Sequence, residues 1–318
     1  MKIMVTGGAG YIGKILVNDL CKRNDVENVI VIDRKAKPED FDNPKISYYS
    51  LDLAQNLWEE FVKEVPDFIV HCAFDIRSPY RNISKQEFIN LEACKRIFEY
   101  CFKYKIKKIV YLSSAAAYGA RERNIGRLLK EDDSLIEKDS PYGSQKRRVE
   151  EILAQKIAQN NFSLTQVFVL RLATVNGKEG ERRKNPSLMS WIKNVLPILP
   201  YSNDFSARQY VNEEDVLAAI NMLLFSDIKS QYEVFNLAPD DFLTIKDMAQ
   251  ILNKKAVKIP VIFVRIAFFL AWHLSMGYIP TPRGAWKSFV YPSNMDGSLI
   301  KKFGFNYRYN SKDTFLSK

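Results

Sequence analysis

Tyr142 and Lys146 stand four residues apart in Pro141-Tyr142-Gly143-Ser144-Gln145-Lys146, a spacing that puts a phenol and an ammonium on one face of a helix. The chemistry open to such a pair is proton transfer. A neighbouring ammonium, joined by a positively charged nicotinamide, favours phenolate and draws a tyrosine from its reference near ~10 toward working pH. Ser114, in Ser113-Ser114-Ala115-Ala116-Ala117-Tyr118-Gly119, follows a strand-like apolar run and offers a hydroxyl to orient a substrate oxygen. A Tyr-x-x-x-Lys spacing by itself is weak, since surface helices contain it by accident. Its weight comes from the other end of the chain, where Thr6-Gly7-Gly8-Ala9-Gly10-Tyr11-Ile12-Gly13 sits directly behind Ile3-Met4-Val5 and opens a helix-patterned segment. Asp33 closes the next apolar run, Val29 to Ile32, twenty residues after Gly13. That context is what a dinucleotide site requires: glycines where a Cβ would hold a pyrophosphate away from backbone N–H groups at a helix N-terminus, then an acid for the ribose hydroxyls. Asp33 repels a 2′-phosphate, so the expectation is NAD before NADP, with Arg34 pulling the other way. The bland alternative, a glycine turn in an unliganded α/β protein, ranks below it.

The elements that must position these groups alternate. Strand-length apolar segments at Lys2 to Thr6, Asn28 to Asp33, Ile46 to Ser50, Phe68 to His71, Lys108 to Ser113 and Leu164 to Leu170 are separated by helix-patterned stretches. Such alternation predicts an α/β fold, a doubly wound parallel sheet of the Rossmann type with helices on both faces. The pattern changes after about Val175, with Pro186, Pro197 and Pro200, an acidic helix start at Asn212-Glu213-Glu214-Asp215, a strand-like Glu233 to Leu237, and a capped helix near Thr244. The expected division is a dinucleotide-binding domain over 1–174, to which the chain returns near 205–240, and a smaller substrate-binding lobe made mainly from 175–318.

Composition narrows the functional classes. The 318 residues are 47% hydrophobic and 26% charged, ordinary for a globular protein. The net charge of +10 lies in short clusters, Lys103 to Lys108, Arg121 to Arg127, Lys146 to Arg148 and Arg182 to Lys184, without the basic stripe and interleaved aromatics of a nucleic-acid binder. Solvated faces, some of them lining a cleft for an anionic small-molecule substrate, are the expectation. Cys21, Cys72, Cys94 and Cys101 show no Cys-x-x-Cys spacing, and His71 and His273 are the only imidazoles, so no metal site is expected. The N-terminus runs straight into the first strand without a signal-peptide pattern, which points to the cytoplasm. One segment, Val261 to Trp272, is apolar almost all round. It falls short of the ~20 residues of a membrane span and carries Arg265, so a helix buried in the second lobe is expected. The competing reading is a helix lying in a membrane interface or covering a lipid-like substrate, with Trp272 and Tyr278 as anchors.

With these pieces in place the chain resembles the extended short-chain dehydrogenase/reductase family, in particular its NAD-dependent nucleotide-sugar epimerase branch, of which UDP-glucose 4-epimerase is an example. The resemblance covers nearly the whole chain and rests on TGGAGYIG, Asp33, Asp52-Leu53, His71-Cys72-Ala73, Asn90, SSAAAYG and PYGSQK in family order. It implies Tyr142 as general acid/base, Lys146 holding the nicotinamide ribose and tuning Tyr142, and Ser114 bonded to the reacting oxygen. It implies cofactor contacts from Gly7, Gly10, Tyr11, Ile12, Gly13 and Asp33. Asp52 and Leu53 would flank the adenine, Ala73 and Asn90 would line the nicotinamide side, and Cys72 and Ala173 would be further cofactor contacts. Arg208, in Arg208-Gln209-Tyr210-Val211, is similar to a family arginine that meets a substrate diphosphate, a role its bidentate fork suits.

Departures from the pattern bear on the reaction. Ala115 and Ala116 stand where sugar-nucleotide dehydratases place an acid pair, which disfavours elimination of water. Thr174 replaces the usual substrate-contacting asparagine, and Tyr201-Ser202-Asn203-Asp204 replaces a Gly-Asp-Gly turn. The expectation is an NAD-dependent epimerase acting on a nucleotide-sugar-like substrate by transient hydride transfer. The alternatives are an NAD(P)-dependent dehydrogenase or reductase of an apolar, sterol-like or lipid-linked alcohol and, without catalysis, a dinucleotide-binding scaffold or sensor. The resemblance also implies a homodimer built on helices around Lys85 to Lys103 and Tyr142 to Ile157.

Overall fold

The computed structural model describes residues 1–55, 58–160, 164–181 and 196–317; the basic cluster at 182–184 and Pro186 fall outside them. Runs of Val, Ile and Leu that are apolar on both faces cannot be left half in water, and they assemble into a sheet covered on each side. The strands are β1 (Lys2–Thr6), β2 (Asn28–Asp33), β3 (Ile46–Ser50), β4 (Phe68–His71), β5 (Lys108–Ser114) and β6 (Gln166–Leu172). Tyr232–Leu237 joins β6 as the seventh. Their order is Tyr232–Leu237, β6, β5, β4, β1, β2, β3, and every pairing is parallel.

Alternate strand residues sort onto two cores because successive side chains leave opposite faces. Ile3, Val5, Val29, Val31, Val110 and Phe235 pack against α1 (Tyr11–Cys21) and the Glu213–Phe225 helix through Leu16, Leu20, Ile220 and Leu223. Met4, Ile30, Ile32, Ile69, Ile109 and Val169 face the other way, toward Ala93, Ile97 and Phe98 of the Ile83–Lys103 helix and Val149 and Leu153 of the Pro141–Gln159 helix. A third cluster, with Leu199, Tyr210, Met248, Val264, Phe289 and Phe315, fills the smaller lobe. Asn212 caps its helix by accepting from Glu214 N–H, and Thr244 closes a capping box with Asp247, as their sequence positions foretell.

Two expectations need correction. β6 runs to Leu172 rather than ending at Leu170, because Arg171 is buried in it. Its guanidinium donates to Glu150 at 2.7 Å and to the Tyr118 hydroxyl at 2.7 Å, so a residue that reads as a strand end is neutralised inside the sheet. The second concerns the apolar segment, which is a helix, Val261–Leu274, but not a buried one. Only Val264 and Trp272 are fully covered, since the helix meets the lobe's hydrophobic cluster along one side.

Candidate active site

The strand order reverses between β1 and β4, and in open α/β sheets the crevice beyond the carboxyl ends at that point is where ligands bind. Both loops that form it carry expected site residues. Gly7, just after β1, has φ +69°, and a Cβ there would lie 2.6 Å from the Ala73 backbone just after β4. Only glycine fits so close an approach. The turn is held by Gly7 N–H donating to Ile32 O at 2.7 Å and Gly10 N–H donating to Gly7 O at 2.9 Å. Gly13 lies beneath it, a Cβ at that position falling 2.2 Å from Gly7 O.

A cleft of about 380 Å³ opens here, lined by Gly7, Gly10, Asp33, Asp52, Leu53, Cys72, Ala73 and Asn90 among others. Asp33 accepts from Ala9 N–H at 3.0 Å and Lys35 N–H at 2.9 Å, which fixes its carboxylate at the cleft wall. Arg34 is drawn across the cleft to Asp75 at 2.7 Å, so its charge is already engaged by a carboxylate. Asn90 is buried and fully occupied: its oxygen accepts from Asp75 N–H at 2.9 Å, and its amide donates to Asp75 O and to Gln145 Oε1. It therefore shapes the wall by holding the Asp75 loop. Tyr11 and Ile12 do not line the cleft; the Tyr11 phenol donates to Glu213, tying α1 to the Glu213–Phe225 helix. A glycine turn at a helix N-terminus, an acid at the end of β2 and a cleft of this extent fit a dinucleotide.

The catalytic candidates meet at the ends of β5 and of the Pro141–Gln159 helix. The Ser114 hydroxyl lies close enough to the Tyr142 phenol to favour its charged form. Ser114 also caps the turn Ala115–Tyr118, accepting from Ala116 N–H at 3.2 Å. Close packing of the turn on the helix is permitted by Gly143, where a Cβ would sit 2.4 Å from Ala116 O. Lys146 is buried one turn further in. Its ammonium donates to Leu112 O at 2.6 Å and Tyr111 Oη at 3.3 Å, and lies 3.8 Å above the Phe74 ring, whose other contact is the edge of Tyr142 at 5.8 Å. Burial pushes Lys146 down to about 8, with Cys94, Cys72 and Glu150 opposing. The expected lowering of Tyr142 is not what this arrangement produces. Burial raises the phenol above its ordinary value, and the Ser114 hydrogen bond pulls it back.

Behind the pair, neutral groups surround the ammonium. Burial drives His71 down to about 3, with Lys146 adding to the shift, and drives the Cys72 and Cys94 thiols up to about 12. His71 bonds Thr6 Oγ1 through Nδ1 at 2.6 Å and Cys94 Sγ through Nε2 at 3.1 Å. Thr6, Phe74, Asp75, Tyr111 and Gln145 are the residues that motif reasoning missed. Their signal is positional, since each is an ordinary strand-end or helix residue that only packing brings to the site.

A smaller polar cavity adjoins on the lobe side, where Thr174, Arg208, Ala115 and Ala173 come together with Ser288 and Tyr291. Ala173 thus stands in the wall of this second cavity and donates its N–H to Leu237 O at 3.1 Å. Arg208 donates to Ser288 O at 2.8 Å, while its Nε is buried without a protein partner. Desolvation pulls its guanidinium below the ordinary value, so an incoming anion there would meet an under-compensated cation.

Fold and site together define a Rossmann-type nucleotide-dependent enzyme with a Ser-Tyr-Lys set at the switch point. Residues 3–238 match the NAD dependent epimerase/dehydratase family, and the chain belongs to that family, with NAD as its cofactor. Among curated relatives, a dTDP-4-dehydro-6-deoxyglucose reductase of Escherichia coli is 26% identical over 279 residues, covering 80% of this chain and 83% of the relative. A UDP-glucose 4-epimerase of Lactobacillus helveticus is 26% identical over 266 residues, covering 74% and 76%. A UDP-glucose 4-epimerase from Thermotoga maritima, solved with UDP-glucose, superposes with a TM-score of 0.73 at 22% identity, covering 99% of this chain and 96% of that one.

Proposed function

We propose that the protein is an NAD-dependent epimerase of a nucleotide sugar or a similar anionic sugar, with Tyr142 as its acid/base. The observation that carries this reading is the lobe cavity next to Ser114, whose described lining includes Ala115, Thr174 and Arg208 and contains no carboxylate, with the Tyr142 phenol close by the Ser114 hydroxyl. NAD supplies the hydride acceptor and donor. Tyr142 takes the proton of a substrate hydroxyl at its phenol oxygen and later returns it, and Ser114 holds the reacting oxygen in reach. Lys146 provides positive charge near the phenol from a dry position that favours its own deprotonation. Gly7, Gly10 and Asp33 seat the dinucleotide, and Arg208 with Thr174 meets the substrate's anionic half. A dehydratase would need an acid where Ala115 and Ala116 stand. A homodimer through the Ile83–Lys103 and Pro141–Gln159 helices belongs to the same reading.

The test is turnover with a panel of UDP- and dTDP-sugars, reading product mass and reduced-nicotinamide absorbance together. A product isomeric with substrate at flat absorbance is expected. Stoichiometric NADH with a product two hydrogens lighter would replace the epimerase by a net dehydrogenase, and a product lighter by one water would mean that another group supplies the missing acid.

A further inference from the structure

The Val261–Leu274 helix turns Val261, Val264, Phe268 and Trp272 toward the lobe, an inward stripe at helical spacing. Its outward face should then be polar, and it is not. Phe263 is 58% exposed, Phe269 62% and Leu274 80%, with Ile262, Ile266 and Leu270 exposed between them. Tyr278, 75% exposed, extends the patch beyond the helix end. An apolar cleft of about 600 Å³ runs along the helix toward Trp286 and widens the surface.

The charge around this face has one sign. Residues 248–295 contain no Asp or Glu and six Lys or Arg, of which Lys255, Lys258, Arg265 and Arg283 are exposed. The segment packed against the helix end continues the pattern. Tyr80 pairs with His273 Nδ1 at 2.9 Å, Arg77 donates to Tyr278 O, and residues 76–86 carry Arg77, Arg81 and Lys85 without an acid. The carboxylates that meet these segments are engaged, Asp75 by Arg34, Glu87 by Arg148, Asp139 by Arg121 and Lys287, and Asp204 by Lys246 and Lys258.

We propose that this face is a docking surface for the interface of an anionic lipid bilayer, the helix lying in the plane of the membrane with its outward apolar side among the acyl chains and the surrounding bases against the headgroups. Among the described residues no helix is long and apolar enough to span, and the 14 residues of this one at ~1.5 Å each reach about 21 Å, short of the ~30 Å hydrocarbon core. An interfacial helix needs only an apolar face and a basic rim. A second copy of the chain is the poorer occupant, because an isologous contact would bring Arg265 and Arg283 of two copies together while the neighbouring carboxylates are already engaged. The proposal is independent of which sugar reaction the enzyme performs.

Flotation tests it with the NAD-loaded full chain and two vesicle types, pure phosphatidylcholine and phosphatidylcholine mixed with phosphatidylglycerol, at low salt. The protein should rise with the anionic vesicles and stay behind with the neutral ones. Phe263→Ser with Phe269→Ser should lower the partition by about tenfold for each ring removed. Arg265→Gln with Arg283→Gln should lower it by about fivefold per charge on anionic vesicles only. All four positions are exposed, so the variants should keep the wild-type thermal midpoint and their NAD, which separates loss of docking from loss of fold. Equal flotation with both vesicle types, or variants that float like wild type, would overturn the proposal. So would light scattering that shows a dimer converted to monomers by the phenylalanine changes with no vesicle binding, which would hand the face to a second copy.

Discussion

Replacing Lys146 by methionine separates what this side chain does for catalysis from what it does to stability. The ammonium is buried against Leu112 O, Tyr111 and Phe74, and burial holds it at about 8 instead of the 10.5 of an ordinary lysine. Below pH 8 both the folded and unfolded chains carry the proton, and the fold bears the full penalty of a charged buried amine. Between about 8 and 10.5 the folded protein has released its proton while the unfolded chain still holds one, so unfolding takes up a proton and becomes harder as pH rises. A shift of that size corresponds to about 3 kcal/mol, entering at up to ~1.4 kcal/mol per pH unit. The measurement is urea denaturation of the dinucleotide-free wild type and of Lys146→Met at several pH values from 7 to 10.5. The difference between their unfolding free energies should move in favour of wild type by about 3 kcal/mol across that window, other titrations cancelling between the two proteins. Parallel pH profiles would refute the reasoning and mean that Lys146 keeps an ordinary affinity for its proton in the fold. Turnover by Lys146→Met should be lost at every pH, because methionine offers no charge near Tyr142.

Three further outcomes follow from single contacts. Tyr142→Phe should reduce turnover by ~10²–10⁴-fold while NAD binds nearly as before, since the phenol oxygen is a proton-transfer group outside the described lining of the dinucleotide cleft; a loss well under tenfold would assign the base elsewhere. Gly7→Ala should abolish NAD retention and lower stability by about 2 kcal/mol or more, because the new Cβ meets the Ala73 backbone at 2.6 Å where φ is already +69°; unaltered thermal midpoint and cofactor affinity would contradict it. Arg171→Met should destabilise by about 3–5 kcal/mol in urea titration by leaving Glu150 buried and unpaired, whereas adding Glu150→Leu should recover most of the loss; equal stability of the single and double variants would show that the pair is not the cause.

Much of the fold is legible in the chain because the signals are local. A strand buried on both faces must be apolar along its length, a glycine turn must precede a helix N-terminus, and an acid at a strand end is visible without knowing its neighbours. Gly7, Asp33, Ser114 and Tyr142 announce themselves in this way, and the structure sets the first two in one cleft and brings the last two close together. What only tertiary structure decided depends on partners distant in sequence. Arg171 stays inside β6 because Glu150 and Tyr118 meet it there, so its charge reads as a strand end until the pairing is known. Tyr142 is raised because the packing around it takes the phenol out of water, which no i, i+4 spacing reveals. Asn90 holds a loop because Gln145 and Asp75 converge on its amide. The apolar helix Val261–Leu274 shows the same limit from the other side. Its composition dictates that it leave water, but whether protein covers it depends on the elements packed around it, and these meet the helix along one side only.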